Sequence, residues 1–497
     1  MNPAAGRASD AASIRPFEPP APILNDLVRR AGDRASYERW ERQVHHARYC
    51  RRPVRLAGGI DQTDTTTGEV RTVFDTEHEP DGVLLKACGT RRAARCEPCA
   101  EVYRQDGYQL VRAGVAGGKG LPETVGTHPA VFVTFTAPSF GRVHVHRERG
   151  GIVYPCHAAR LGARCAHGRR LACWHKHDQG DGTLGTSLCG DCYAYDQAVI
   201  WNALAPQLWR RTTIYLRRAL ARLAGRTVAG LGRELRVSYV KVAEYQARGA
   251  VHYHAVIRLD GAAPEGIVAP PPAWATVALL TQAIREAAST VSVPGPAGLE
   301  LGPVGWGEQL DIRPITTGLG EGSAGQVAGY LAKYATKATE SLAGVALDRP
   351  IRSTRDLVRR ALPEHVRRLV EAAWRLGARP GLAGLRLRAW AHQLGYGGHC
   401  TTKSRRYSTT FTALRRARHE HARRRPFGGE PLDAWGRPEH QGAAVQVASW
   451  TYQGRGYTTL ADAWLARSML EDTREQRRIA REELAWLQQR AAAVSHG

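Results

Sequence analysis

Apolar and polar positions along the chain alternate in some stretches and recur at helical spacing in others, and this pattern outlines the fold. Val131-Phe-Val-Thr-Phe-Thr136 is β-branched and aromatic and is stopped by Ala137-Pro138-Ser139, which predicts a strand. Between 195 and 223, Val199, Leu204, Leu208, Tyr215, Leu216 and Leu220 keep a helical spacing that breaks near Pro206, so two helices are expected. A strand from Leu235 to Glu244, the link Tyr245-Gln-Ala-Arg-Gly249 and a strand from Val251 to Leu259 read as an antiparallel hairpin. After the Pro/Gly-rich loop 260–272 come a helix (Ala273 to Ser289), a strand around Trp306 to Ile312 and a helix from about Ser323 to Glu340. Leu460 to Arg490 is a charged helical stretch whose apolar stripe includes Trp464, Leu465, Met469, Ile479 and Trp486. The order predicts an α+β fold: an antiparallel sheet with helices, plus cysteine-rich modules and a helical basic C-terminal region.

Composition narrows the partner. With 70 Lys and Arg against 46 Asp and Glu the formal charge is +24, which suits a polyanion, and nucleic acid is the expected one. Residues 341 to 427 hold 20 Lys or Arg and 5 Asp or Glu, so most of the excess lies there. Within that segment Arg386, Arg388, Lys403, Arg405, Arg406 and Tyr407 interleave cations with aromatics, a pattern that can clamp phosphates and stack unpaired bases. No run of eighteen apolar residues occurs and the first residues lack the order of a signal peptide, so a cytoplasmic protein is expected.

In that reducing compartment the ten cysteines favour metal ligation over disulfides. Cys96-Glu-Pro-Cys99, with Cys88 and Cys50 upstream, offers a tetrahedral zinc set. A second set comes from Cys165, Cys173 and the knuckle Cys189-Gly-Asp-Cys192, with Cys156, His167, His175 and His177 as extra candidates. Two structural zinc sites are the economical reading. The expected organisation is a disordered leader (1–22), a cysteine-rich zinc module (45–110), an α+β sheet domain (125–340) with an inserted cysteine-rich module (156–192), a basic DNA-binding region (341–430) and a C-terminal helix (455–495).

The chemistry is expected in the hairpin and the helix after it. His252 and His254, at i and i+2 of a strand, project from one face about 7 Å apart along it, and Glu244 on the preceding strand can come level with them. Two imidazoles and a carboxylate leave open positions on Mg²⁺ or Mn²⁺ for a phosphate. Alone, a His-x-His pair reads more readily as two half-buried strand histidines. The other one, His144-Val-His146, is followed by Arg147-Glu-Arg-Gly-Gly151, looks like an exposed turn and is discounted as a catalytic pair.

Tyr330 and Tyr334 stand at i and i+4 on one helix face, with Lys333 and Lys337 forming a second such pair. A phenol of ordinary pKa near 10 needs neighbouring cations to act as a nucleophile on phosphorus. The conjunction of carboxylate, His-x-His strand and Tyr-x-x-Lys-Tyr helix, in this order, is specific where each part alone is weak.

That order resembles the HUH endonuclease superfamily, in which two histidines bind the metal and a tyrosine attacks the 5′ phosphate to leave a free 3′ hydroxyl. Tyr330-Leu-Ala-Lys-Tyr334 is similar to the two-tyrosine class of bacteriophage gene A initiators and some rolling-circle transposases. More closely, the segments Lys241 to Asp260, Trp306 to Arg313 and Thr402 to Thr410 resemble the actinobacterial plasmid replication-initiator family, over about residues 45 to 465. The resemblance implies a rolling-circle initiator that nicks single-stranded origin DNA and works with the host replication helicase and polymerase. It carries His252, His254, Tyr330 and Tyr334 over as they stand, while Glu244 rests on spacing. A two-tyrosine transposase shares the same site, and a zinc-containing DNA-binding regulator without catalysis is the alternative of another class.

Overall fold

The alternation at 235–245 and 251–261 becomes the longest hairpin in a five-stranded antiparallel sheet. The computed structural model describes residues 21–158, 162–316, 322–336, 342, 347, 349–424 and 444–494. Its strands are β1 (Val54–Asp64), β2 (Val70–Asp75), β3 (Leu84–Lys86), β4 (Ala130–Phe135), β5 (Arg147–Arg149), β6 (Ile152–Tyr154), β7 (Leu235–Tyr245), β8 (Val251–Gly261), β9 (Leu310–Pro314), β10 (Thr401–Lys403) and β11 (Ala444–Arg455). The chain is mixed α and antiparallel β and divides into two compact units, one within Met1–Thr90, Cys96–Cys99 and His440–Gly497, the other within Arg91–Arg95 and Ala100–Glu439.

The larger unit holds the sheet β10-β7-β8-β4-β9. Both faces are covered, so the strands are apolar on both sides. On one face Val131, Val133, Phe135, Tyr253, Ala255, Ile257 and Leu259 pack against the helices Tyr195–Leu223, Val277–Thr290 and Glu364–Leu376. On the other, Val240, Val242 and Val256 meet Leu110, Val111 and Val115 of the helix Glu97–Ala116, and Val327 and Leu331 of the helix Ala324–Ala335. Successive side chains of a strand alternate between faces, so His252 and His254 lie on the second face, beneath Ala324–Ala335.

Two features differ from the sequence pattern. Tyr195–Leu223 is one helix of 29 residues that runs through Pro206, not two. A proline inside a helix costs about 3 kcal/mol. Fourteen of the helix's residues are buried, among them Trp201, Leu204, Leu208 and Leu220, and their burial outweighs that cost.

The second difference lies in the smaller unit. There β1 pairs along its whole length with β11, Val54 opposite Arg455 and Asp64 opposite Ala444, so segments almost four hundred residues apart share a sheet. β2 and β3 pair with the other edge of β1. Beside this sheet Trp40, Val44, Cys50, Val83, Leu85, Cys96, Cys99 and Ala466 form a small core. The expected C-terminal helix is present as Leu460–Val494. The leader lies outside the described residues except for its last two positions.

Candidate functional site

The hairpin puts the three expected ligands together because its turn is short and pinned. Glu244 of β7 stands directly opposite His252 of β8. The turn closes with Gln246 N–H bonded to the Ala250 carbonyl at 2.9 Å, and Gly249 takes φ +79°, which a residue with a Cβ adopts only under strain. From the helix Tyr195–Leu223, the buried Asn202 amide donates to the Gly249 and Leu394 carbonyls at 3.0 and 2.9 Å and accepts from Val251 N–H at 2.9 Å. Arg248 reaches back to the Ala137 and Pro138 carbonyls just after β4, at 2.8 and 2.7 Å. The turn is thereby fixed to two other elements.

Glu244 Oε2 lies 3.0 Å from Nε2 of His252 and 3.0 Å from Nε2 of His254, and the two imidazole centroids are 4.3 Å apart. Burial raises the Glu244 carboxyl, but the two imidazoles outweigh it and hold it below the usual range. His254, almost fully buried, is pushed down by burial, with Glu244 only partly opposing. An ionised carboxylate and a neutral imidazole are the ligand forms of those groups. The ligand atoms of Glu244, His252 and His254 all lie within 4.8 Å of one another, a mixed nitrogen and oxygen set able to hold a divalent ion.

Two residues of β4 complete the surroundings. Thr134 Oγ1 is 3.0 Å from His254 Nδ1, which leaves Nε2 to face Glu244, and the Phe132 ring stacks on His254 at 5.7 Å. The sequence pattern predicts this strand but assigns neither side chain to the site. Its alternation could have exposed both: Phe132 and Thr134 must share the histidine face if Val131, Val133 and Phe135 take the other.

The two tyrosines stand over this group. Tyr330 and Tyr334 have ring centroids 4.5 Å apart, and lie 5.0 and 5.7 Å from the His254 ring. Tyr330 is 39% exposed and Tyr334 is half-buried. Burial first, then Tyr334 and the Glu244 charge, push the Tyr330 phenol above its ordinary value, so it is protonated at neutral pH. Lys333 is exposed, its Nζ 5.6 Å from the Tyr334 ring centroid. Lys337 lies outside the described residues.

The cysteines sort into separate groups. Cys50, Cys88, Cys96 and Cys99 come together as expected, with Sγ atoms 3.7 Å apart for Cys50 and Cys96 and 3.6 Å for Cys88 and Cys99. The second expected set is corrected: Cys165, Cys189 and Cys192 gather with His167, while Cys173 leaves them to join His144, Cys156 and His177. Spacing along the chain identifies ligand types but not which loop folds back on which. His144, set aside as part of an exposed turn, is in a ligand group, whereas its neighbour His146 bonds the His177 carbonyl and Glu148. These groups could hold zinc.

The basic segment is less uniform than its composition. Tyr407, expected to stack on bases, is fully buried and donates its hydroxyl to the Val111 carbonyl at 3.0 Å, so it offers no ring face to a ligand. Arg406 bonds the Ala263 and Pro264 carbonyls, and Lys403 is half-buried, bonded to the Ser404 and Arg405 carbonyls. Arg386 and Arg405 are exposed, as is Arg388, which lies over the Trp374 ring. No helix of the described residues is long and apolar enough to cross a membrane.

The family described as RepSA, replication initiator protein, pSAM2, matches residues 36–471. A replication initiator protein of Streptomyces ambofaciens is 43% identical over 468 residues, covering 92% of this chain and 95% of that relative. No solved structure matches. A match that runs through both units, from before Cys50 to the helix Leu460–Val494, places this chain in the RepSA family of replication initiator proteins.

Proposed function

We propose that the protein starts plasmid replication by nicking single-stranded origin DNA through a tyrosine. The observation that carries this reading is the convergence of Glu244, His252 and His254 under Tyr330 and Tyr334 on one face of the sheet. A phenol gives up its proton to solvent as its oxygen attacks the scissile phosphorus, the bond from phosphorus to the 3′ oxygen breaks, and that oxygen takes one proton back from solvent and leaves as a 3′ hydroxyl. The protein stays joined to the 5′ phosphate, and the free 3′ hydroxyl primes the host polymerase while the host helicase opens the duplex.

Glu244, His252 and His254 would hold Mg²⁺ or Mn²⁺, which when bound supplies Lewis-acid polarisation of the phosphate. Two imidazoles with a single carboxylate suit Mn²⁺ better than the oxygen-seeking Mg²⁺. Tyr330, the more exposed ring, acts first; Tyr334, its ring 4.5 Å away on the same helix face, makes the second transfer that closes the displaced strand. Arg386, Arg388 and Arg405 would contact phosphates without reading sequence.

Incubation with a single-stranded origin oligonucleotide and Mn²⁺ should give an SDS-resistant adduct. The double change Tyr330→Phe and Tyr334→Phe should abolish it and His252→Ala should reduce it at least a hundredfold. An adduct that survives the first removes the tyrosines from the chemistry; one that survives the second removes the metal group. A regulator without catalysis gives no adduct with the unaltered chain.

A further inference from the structure

Between His144 and Cys192 eight side chains form two groups of four: His144, Cys156, Cys173 and His177, and Cys165, His167, Cys189 and Cys192. Around a tetrahedral zinc with bonds of about 2.3 Å to sulfur and about 2.05 Å to nitrogen, neighbouring ligand atoms stand about 3.3 Å apart for two nitrogens and about 3.6 Å for nitrogen and sulfur. In the first group His144 Nδ1 is 3.1 Å from His177 Nε2, Cys173 Sγ is 3.5 Å from His177 Nε2, and Cys156 Sγ is 3.8 Å from His144 Nδ1. In the second, His167 Nδ1 is 3.2 Å from Cys192 Sγ and 3.9 Å from Cys189 Sγ. We propose that this segment binds two zinc ions, one per group, so that the chain carries three structural zincs with the Cys50, Cys88, Cys96 and Cys99 site.

Three further observations support the first group. Asp181 Oδ2 lies 2.5 Å from His177 Nδ1, the carboxylate partner that fixes the tautomer of a metal-bound imidazole and turns Nε2 toward the ion. Val145 N–H donates to Cys156 Sγ at 3.2 Å, which stabilises a thiolate. The segment also lacks an apolar core: among its described residues from 141 to 192 the buried ones are Cys156, His177, Gly185 and Cys189, three of them ligands. So little buried apolar surface does not offset the entropy of ordering such a segment, and metal ligation supplies the difference. His177 also lies near His175 and Asp181, but that group contains no thiolate and His175 is exposed.

The ligand order adds a consequence. Pairs alternate along the chain: 144 and 156 serve the first ion, 165 and 167 the second, 173 and 177 the first, 189 and 192 the second. Closing either group encloses a pair of the other, so each ion lowers the loop-closure entropy left for its neighbour and the two bind cooperatively.

Zinc per chain, measured by elemental mass spectrometry on the full chain, tests this. The background His252→Ala with His254→Ala removes the hairpin imidazoles as a competing zinc site. Three zincs per chain are expected, falling to two or one with Cys156→Ser and Cys173→Ser added, and staying at three with His177→Cys, which preserves a four-ligand set. Two or fewer zincs in the background protein, or three in the Cys156→Ser, Cys173→Ser variant, overturns the proposal. The first count needs no zinc-ligand variant, so misfolding of the serine variant cannot mask the answer.

Discussion

The five-stranded sheet and the segment inserted between β4 and the helix Tyr195–Leu223 belong to one compact unit, but they are ordered by opposite means. The sheet buries whole faces: Val131, Val133, Tyr253, Ala255 and Leu259 are each at 0% exposure. The inserted segment has two three-residue strands and a scatter of loops whose buried side chains are mostly sulfur and imidazole. Hydrophobic burial tolerates partial loss, because each methylene contributes little; four ligands on one ion do not. The two regions should therefore fail in different ways.

Zinc removal should give the largest difference. Structural zinc contributes about 10–16 kcal/mol to small sites, so a strong chelator should open the segment to cleavage at the exposed Arg147, Arg149, Arg169 and Arg170 while the sheet strands stay protected. Limited digestion by an arginine-specific protease, followed by mass spectrometry, reads the outcome; identical digests with and without chelator would break the comparison.

Inside the sheet the counterpart is Asp260, which bonds Arg258 Nε at 2.6 Å, His128 Nδ1 at 2.8 Å and Ser238 Oγ at 2.6 Å. Asp260→Asn leaves the fully buried Arg258 without its carboxylate and should cost about 3–5 kcal/mol at pH 7 with zinc content unchanged. Burial raises the Asp260 carboxyl, but His128 and Arg258 outweigh it, so its folded value is depressed. Its contribution is present above the unfolded value of about 3.9 and is lost as pH falls through the lower folded one. Urea melts should accordingly show a smaller penalty for Asp260→Asn at pH 3 than at pH 7; an equal penalty contradicts the ionised pair.

A smaller effect probes where the regions meet. Gly185, at φ +82°, lies so close to the hairpin turn that an added Cβ would come within 2.2 Å of the Ala247 carbonyl carbon. Gly185→Ala should cost about 1–3 kcal/mol and weaken Mn²⁺ binding at Glu244, His252 and His254 while zinc is retained. Calorimetric titration checks this, and unchanged Mn²⁺ affinity would show that the segment and the hairpin are independent. Least of all, Arg405→Ala, on a side chain 85% exposed, should leave stability within about 0.5 kcal/mol and reduce the salt dependence of DNA binding by about one ion.

What the sequence disclosed follows the range of the forces involved. The hairpin and the shared face of His252 and His254 were legible because strand alternation and a short turn are local. Tyr330 and Tyr334 were legible as a pair because helical spacing is local too; that they stand over His254 depends on packing. The sorting of Cys173 from Cys165 depends on chain reversal, which spacing does not record. Tyr407 sits among cations in sequence, but Arg258 approaches its ring at 5.5 Å from within the core, so the same composition describes an interior. Asn202, a poor helix former in an apolar run, is itself a sequence signal: a buried amide in such a place needs partners, and here they are the turn itself.

The pairing of β1 with β11 sets a timetable for synthesis. The strand at 54–64 leaves the ribosome long before its partner at 444–455 exists. At about 5–20 residues per second the interval is about 20–80 s. Cys50 is translated before that interval and Cys88, Cys96 and Cys99 early in it, so the four thiols could gather on a metal while one edge of β1 still waits. Over that period the waiting edge is open to any extended peptide, and cells that slow translation downstream of residue 100 should lose more of this protein to aggregation than cells that slow it before residue 50.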